Sequence, residues 1–356
     1  MIPMKYCRRC VMPDTRPGIT FIDGVCSACI NYEAKQHTDW DARWQELQEL
    51  VKGHKRVAVA LSGGKDSHFQ VHVLKELLGL DVVGLSVDNF SWTEAGKKNL
   101  QNISESFGID IIIFSPNRAK EKEMSLRTLY DLGSPMWYAD ACIYAFPYRQ
   151  AMQMGMDLLV YGENVAYEYG GPNGCTETPS ALDQIGNGVV KKYNPEGVPS
   201  SIYPPSRDAI IQNGLKPIYL SYYVKWDSYH NYQVAIRDGF SHMEHEWKRE
   251  GTIENYNQID SPGYLINQWF KYPKYGHASV TEMCSRYIRA GLMTREEAIP
   301  LVRQKDGVLD QRILEDYCNF VGISKKEFWQ IADRWYNTEL FEQDKTGVWK
   351  PKFEVK

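Results

Sequence analysis

No window of the sequence approaches the roughly 18 consecutive apolar residues that a membrane-spanning helix requires. The opening MIPMKYCRRCVMP lacks the apolar segment of a secretory signal, and Arg8-Arg9 is not a twin-arginine signal for the same reason. A cytoplasmic protein without membrane insertion is therefore expected. Cysteine is scarce, 8 in 356 residues, which excludes a disulfide scaffold. An excess of basic charge is also missing. Lys and Arg number 41 against 45 Asp and Glu, a net charge of −4, which counts against nucleic acid as a partner. No internal repeat or low-complexity tract is present. What is there is an ordinary globular composition with an aromatic bias of 23 Tyr, 12 Phe and 10 Trp. At roughly 100–200 residues per domain, the length suggests two domains.

Half of the cysteines form two tight pairs. Cys7, Cys10, Cys26 and Cys29 read C-x2-C-x15-C-x2-C. Two thiolates two residues apart can ligate one ion from a tight turn, and two such turns complete the tetrahedral sulfur shell that Zn2+ accepts. Gly18 and Gly24 flank Ile19, Phe21 and Ile22, which suggests a short hairpin carrying the second knuckle. A closed four-sulfur shell leaves no open coordination position, so a structural zinc is the favoured reading, with an iron–sulfur cluster as the alternative. Residues 38–52 have helical spacing at Trp40, Trp44, Leu47 and Leu50 and read as a joining helix.

The stretch after that alternates strand and helix patterns. Arg56 to Leu61 is a short β-branched strand, Ser62 to Ser67 spell SGGKDS, and a helical pattern follows at Phe69, Val73, Leu77 and Leu80. A second strand ends at Asp88, a helix spans 93–107, and a third strand covers 109–115. Such alternation predicts a parallel α/β sheet with its ligand beyond the carboxyl ends of the strands. Gly63 and Gly64 let the backbone approach an anion, the helix start behind them offers free N–H groups, Ser62 and Ser67 add hydroxyls, and Lys65 adds charge. The loop is not a Walker A motif, since Val59 stands where the first glycine belongs and Asp66 follows Lys65. A later buried strand ends at Tyr161 and delivers Gly162, Glu163 and Asn164 to the same sheet edge.

VALSGGKDS resembles the SGGxDS signature of the PP-loop ATP pyrophosphatases over residues 55–165. With CRRCVMPDT…CSAC, GENVAYEYGG, KYPKYGHAS and SRYIRAGLMTREEAI, the chain resembles the N-acetyl sugar amidotransferases nearly end to end. That family includes the pseudaminic-acid acetamidino synthases of surface-polysaccharide and flagellin-sugar biosynthesis. His277 stands where an aromatic residue is expected for the family. The expected layout is a zinc ribbon over 1–35, a linker helix over 36–54, an α/β PP-loop domain over 55–205 and a helical substrate region over 206–356, where the residues turn to helical spacing. Within the PP-loop domain, 171–205 is rich in Gly, Pro, Asn and Ser and reads as a lid-like loop or a disordered segment.

The resemblance also implies the chemistry. ATP would adenylate the carbonyl oxygen of an N-acetyl group on a nucleotide-activated sugar, and ammonia would displace AMP to leave an acetamidino group. Lys65, Asp66 and Glu163 would be catalytic, with Asp66 and Glu163 holding Mg2+. Ser62, Gly63, Gly64, Lys65, Asp66, Ser67, Gly162 and Asn164 would bind the nucleotide. Asp88 would lie near the adenosine, unless it is only a turn residue. Lys271, Lys274, Arg286 and Arg289 are candidates for phosphate contacts.

No glutaminase signature surrounds Cys142, Cys175, Cys284 or Cys318, and residue 2 is Ile, so a separate glutaminase subunit is expected to supply ammonia. The rival readings are a tRNA-thiolating PP-loop enzyme, which the charge and the lack of a tight cysteine pair beyond the SGGKDS loop oppose, and a non-catalytic zinc-ribbon adapter that binds nucleotide. Lys191 and Lys192 could reach phosphate from the 171–206 segment. The Tyr-rich 221–233 stretch is read as a packed aromatic face, and the last 13 residues as a loosely docked end.

Overall fold

The computed structural model describes residues 4–89, 92–171, 177–183, 193 and 196–356. Cys175, Lys191 and Lys192 lie outside the described residues. Among the described residues no helix is long and apolar enough to cross a membrane.

The chain opens with the ribbon. Strands β1 (Phe21–Ile22) and β2 (Val25–Cys26) pair antiparallel, with Ile22 opposite Val25. Asp23 and Gly24 both take positive φ, 47° and 73°, as the tightest hairpin turn demands. Helix α1 (Ser27–Lys35) follows, and α2 (Trp40–Val51) starts where Asp39 accepts the Ala42 N–H. The expected hairpin and joining helix are both present.

Among the described residues, five parallel strands form the central sheet: β3 (Arg56–Ala60), β4 (Asp81–Val87), β5 (Asp110–Phe114), β6 (Leu158–Tyr161) and β7 (Lys216–Tyr219), in the order β5-β4-β3-β6-β7. Both faces are covered. Val57, Val59, Leu158 and Val160 point into one core with Leu74, Leu100 and Ile103. Ala58, Val83, Leu85 and Leu159 point into another with Tyr148 and Ala151. Burial on both sides explains why these strands read as continuous apolar runs. Helix α3 (Lys65–Val71) continues as a wider π-helical turn over His72–Leu77. Helix α4 (Glu94–Phe107) is capped by Thr93 and stopped at left-handed Gly108. Helices α5 (Arg118–Leu132) and α6 (Trp137–Gln153) separate β5 from β6.

Among the described residues, β6 is followed by α7 (Val165–Tyr169) and α8 (Arg207–Asn213) before β7, so the sheet continues beyond residue 205, where its domain was expected to end. Residues 177–183 lie against that edge: the Ala181 N–H donates to the Pro217 carbonyl and the Tyr219 N–H to that of Pro179. Ile202 is buried in the core beside Trp137 and Tyr138. These parts of the expected lid are packed.

Helix α9 (Ser228–Arg237) lies on α3. The remainder is helical: α10 (Pro262–Trp269), α11 (Lys271–Tyr275), α12 (Ser279–Arg289), α13 (Arg295–Lys305), α14 (Gln311–Val321) and α15 (Lys325–Asp333). Ile266, Trp269, Phe270, Leu314 and Phe328 form its core and draw in Leu129 of α5. The tail is not loose. Strands β8 (Phe341–Gln343) and β9 (Trp349–Pro351) pair, and Val355 packs with Val11, Val280 and Val302. The Tyr-rich stretch is packed only in part: Tyr223 and Trp226 are each 4% exposed in the sheet core, whereas Tyr229 is 37% exposed.

Candidate functional site

Strand order reverses between β3 and β6. From β3 the chain moves outward through β4 and β5, and from β6 it moves the other way to β7. The segments leaving β3 and β6 therefore part at one point, which is where open α/β sheets bind ligands. The first segment is SGGKDS and the second carries Gly162 and Glu163.

The loop is tightly bonded. Ser67 Oγ accepts the Ser62 N–H at 2.9 Å, and Ser62 Oγ accepts the Gly64 N–H at 3.4 Å. Gly63 has φ +90° and lies against α4, where a Cβ would meet the Gly96 carbonyl and Leu100 at 3.2 Å. Neither its conformation nor its space admits a side chain. His68, buried beneath the loop, touches the Gly64 carbonyl through Nδ1, and burial pushes its pKa down to about 4, so it is neutral. Gly162 is equally confined, since a Cβ there would meet Trp226 at 3.0 Å and Gln70 at 3.1 Å.

Beyond the strand ends lies a cleft of about 430 Å³. Ser62, Gly64, Lys65, Asp66 and Glu163 line it. Lys65 is 4% exposed, and its Nζ lies 2.5 Å from Asp66 Oδ2. Asp66 Oδ1 accepts 2.8 Å from Asn231 Nδ2 on α9. Burial and the Asp66 charge push the Glu163 carboxyl up to about 8, against the pull of Lys65. A buried carboxyl beside the Asp66 carboxylate on a cleft wall suits a divalent cation bound by a few carboxylates and ligand oxygens, as Mg2+ prefers.

The structure brings some expected residues to this cleft and not others. Lys271, Arg286 and Arg289 line it. Lys274 does not: its Nζ donates to the carbonyls of Leu132 at 2.6 Å and Gly133 at 2.8 Å, ending α5. Burial lowers its pKa to about 8. Asp88 is also off the cleft, in an ion pair with Arg118 and accepting 2.8 Å from Ser115 Oγ. Asn164 caps α7, its Oδ1 accepting 3.3 Å from the Tyr167 N–H.

Sequence reading missed several cleft residues. Asp260 is one: its carbonyl accepts the Thr93 N–H at 3.2 Å, and burial raises its carboxyl pKa, against a hydrogen bond from Ser62. Met12 and Arg16 from the ribbon, Tyr169, Tyr256 and Glu282 are others. Glu282 accepts from Lys271 at 2.9 Å and pairs with Arg16. These cations hold its carboxyl well below the usual range despite burial. His277 is buried 4.0 Å from Glu282, and burial drives its pKa down to about 3, leaving it neutral.

The four ribbon cysteines converge, with all Sγ atoms within 4.8 Å of one another. Cys7 to Cys29 is 3.9 Å and Cys10 to Cys26 is 3.7 Å. A tetrahedral Zn2+ with Zn–S bonds of about 2.3 Å separates its sulfurs by about 3.8 Å, so this shell fits zinc as it stands. The other described cysteines, Cys142, Cys284 and Cys318, are buried and away from the cleft.

Residues 250–354 match the family model described as LPS biosynthesis protein WbpG-like, C-terminal domain. No curated protein sequence matches the chain. Among solved structures, the NH3-dependent NAD synthetase of Campylobacter jejuni is similar at 18% identity and a TM-score of 0.30, over 37% of this chain and 60% of that one. A predicted subunit of tRNA methyltransferase from Methanocaldococcus jannaschii is similar at 14% identity and a TM-score of 0.31, over 51% of this chain and 74% of that one. Likeness at this level carries nothing about chemistry. Residues 250–354 thus match a WbpG-like C-terminal domain behind an α/β sheet whose SGGKDS loop resembles the PP-loop signature, a combination that fits the N-acetyl sugar amidotransferases that the sequence resembles.

Proposed function

We propose that this chain is an ATP-dependent amidotransferase that converts an N-acetyl group of a nucleotide-activated sugar into an acetamidino group, for O-antigen, capsule or flagellin glycans. One observation carries the reading: the SGGKDS loop and Glu163 share a cleft with Asp260, Lys271, Glu282, Arg286 and Arg289 of the region that matches an LPS biosynthesis domain. A phosphate-binding edge thus meets a wall drawn from a polysaccharide-biosynthesis module.

An amide oxygen is a poor leaving group, which is why ATP is spent. The acetamido oxygen attacks the α-phosphorus and the α–β bond breaks, releasing pyrophosphate. Ammonia then adds to the imidate carbon, AMP leaves with the former carbonyl oxygen, and a proton is lost. Lys65 and the loop N–H groups stabilise charge developing on the pyrophosphate. Asp66 and Glu163 hold Mg2+, which neutralises phosphate oxygens when bound. Asn231 fixes the Asp66 carboxylate from behind. Ammonia comes from a separate glutaminase subunit.

The test is AMP and pyrophosphate release from ATP, Mg2+ and ammonium, with a panel of UDP- and CMP-linked N-acetyl sugars. The expected product has a neutral mass about one dalton below the acceptor and gains a basic amidine. AMP release that ignores every sugar would sink the reading. Hydrolysis of glutamine by the purified chain alone would remove the separate glutaminase from it.

A further inference from the structure

The two ends of the cleft differ in charge. At the loop end Lys65 stands among Asp66, Glu163 and Asp260. At the other end stand Arg16, Lys271, Arg286 and Arg289. Two carboxylates answer those four cations: Glu282 takes Arg16 and Lys271, and Glu254 takes Arg286 at 3.1 Å. An excess of two positive charges remains, and Arg289 has no ion pair or hydrogen bond among the described residues.

The donors are also underused. Among the described residues, the buried nitrogens Arg289 Nη1, Arg16 Nε and Arg286 Nε have no hydrogen-bond partner. An unmet buried guanidinium donor is costly, and its planar fork matches phosphate oxygens. Arg16 arrives from an unexpected direction, since it sits between the two cysteine knuckles. The ribbon is fastened in place: Thr15 Oγ1 donates to the Tyr275 carbonyl at 2.6 Å, and Arg295 Nε to that of Cys10 at 3.1 Å.

We propose that the ribbon end of the cleft is an anion subsite for the diphosphate of the acceptor, with Arg289 as its main donor and Arg16 and Arg286 flanking it. The ribbon is then a wall of the substrate site as well as a folding staple. A diphosphate linkage carries one charge on each phosphate and matches the excess of two, whereas a carboxylate on the sugar would leave one cation unanswered. The proposal rests on the functional reading above in assigning the loop end to ATP.

The test is calorimetric titration of the zinc-loaded full-length protein with UDP, GDP and dTDP in turn, with and without saturating α,β-methylene-ATP and Mg2+. At least one nucleoside diphosphate is expected to bind with the analogue present. Arg289→Gln should weaken it at least tenfold and Arg16→Gln severalfold, with the affinity for the analogue unchanged within twofold. Arg289→Lys, which keeps the charge, should recover part of the loss and guards against misfolding. Glucuronate should bind no differently to wild type and R289Q. No binding of any of the three diphosphates to wild type, equal binding to R289Q, or a loss shared equally by the analogue would overturn the subsite. A preference for glucuronate over the diphosphates would reassign it to a sugar carboxylate and overturn the proposal too. If the analogue fails to bind wild type, the functional reading falls, and the titrations without it still decide the subsite.

Discussion

Glu163 is held as an acid by its surroundings, burial first and Asp66 second. Its carboxyl titrates near 8 in the folded chain against an ordinary 4.5. Between those values the folded chain keeps a proton that the unfolded chain has lost, so this group lowers stability as pH rises through the window. A divalent cation reverses the sign, because it binds the charged form. Metal-free protein should therefore melt lower at pH 8 than at pH 6, and Mg2+ should raise the melting temperature more at pH 8. Glu163→Gln should flatten both trends, as scanning fluorimetry would show. An undiminished Mg2+ response in E163Q would place the cation elsewhere.

Lys274 makes the opposite case. Its ammonium serves the carbonyls that end α5, so Lys274→Met should cost about 1–3 kcal/mol of stability. Affinity for α,β-methylene-ATP should stay as in wild type; a tenfold loss would return Lys274 to the binding site. These residues also mark what the sequence discloses. Lys65, Asp66 and Glu163 are legible because a motif and a strand end announce them. Asn231 and Asp260 are not, because they reach the loop from 165 and 194 positions beyond Asp66 and belong to no local pattern. Asp88 was legible as a strand end, but its direction is decided by Arg118, 30 residues away.

At the scale of elements, the ribbon has a two-residue hairpin and a nine-residue helix around four sulfurs, too little apolar area to hold itself. Its metal shell was legible from spacing alone, whereas its docking was not. Val11 packs with Val280, Cys284 and Ala298, and Lys35 on α1 pairs with Glu168 on α7 at 2.7 Å. Cys26→Ser should abolish stoichiometric zinc and lower the melting temperature by roughly 5–10 °C. Hydrogen exchange should rise both in residues 5–35 and in α12, which the ribbon covers. Exchange confined to the ribbon would show that α12 does not lean on it. Strand β7 was hidden for a different reason. It is four residues long, contains Pro217, and lies at an edge, where a proline's missing N–H is tolerated but the strand pattern is blurred.

For the whole molecule, the matched region from 250 to 354 and the sheet body do not divide cleanly. Thr93, which caps α4, donates its N–H to the Asp260 carbonyl and its hydroxyl to the Ile259 carbonyl. A Cβ at Gly96 would come within 2.6 Å of the Asp260 backbone, so α4 and the 259–260 segment meet backbone to backbone. Leu129 of α5 is fully buried among Ile266, Trp269, Phe270 and Phe328, and Tyr317 meets Ser125 at 3.1 Å. Separating the two parts would open that apolar core to water and strand these hydrogen-bonding groups. A chain ending at residue 249 should therefore lack a sharp thermal transition, bind a hydrophobic dye, and lose affinity for α,β-methylene-ATP. Co-expression with 250–356 should restore all three properties. A 249-residue fragment with its own cooperative transition and unimpaired analogue binding would make the sheet an independent nucleotide-binding domain, and the shared cleft a docking of two finished domains.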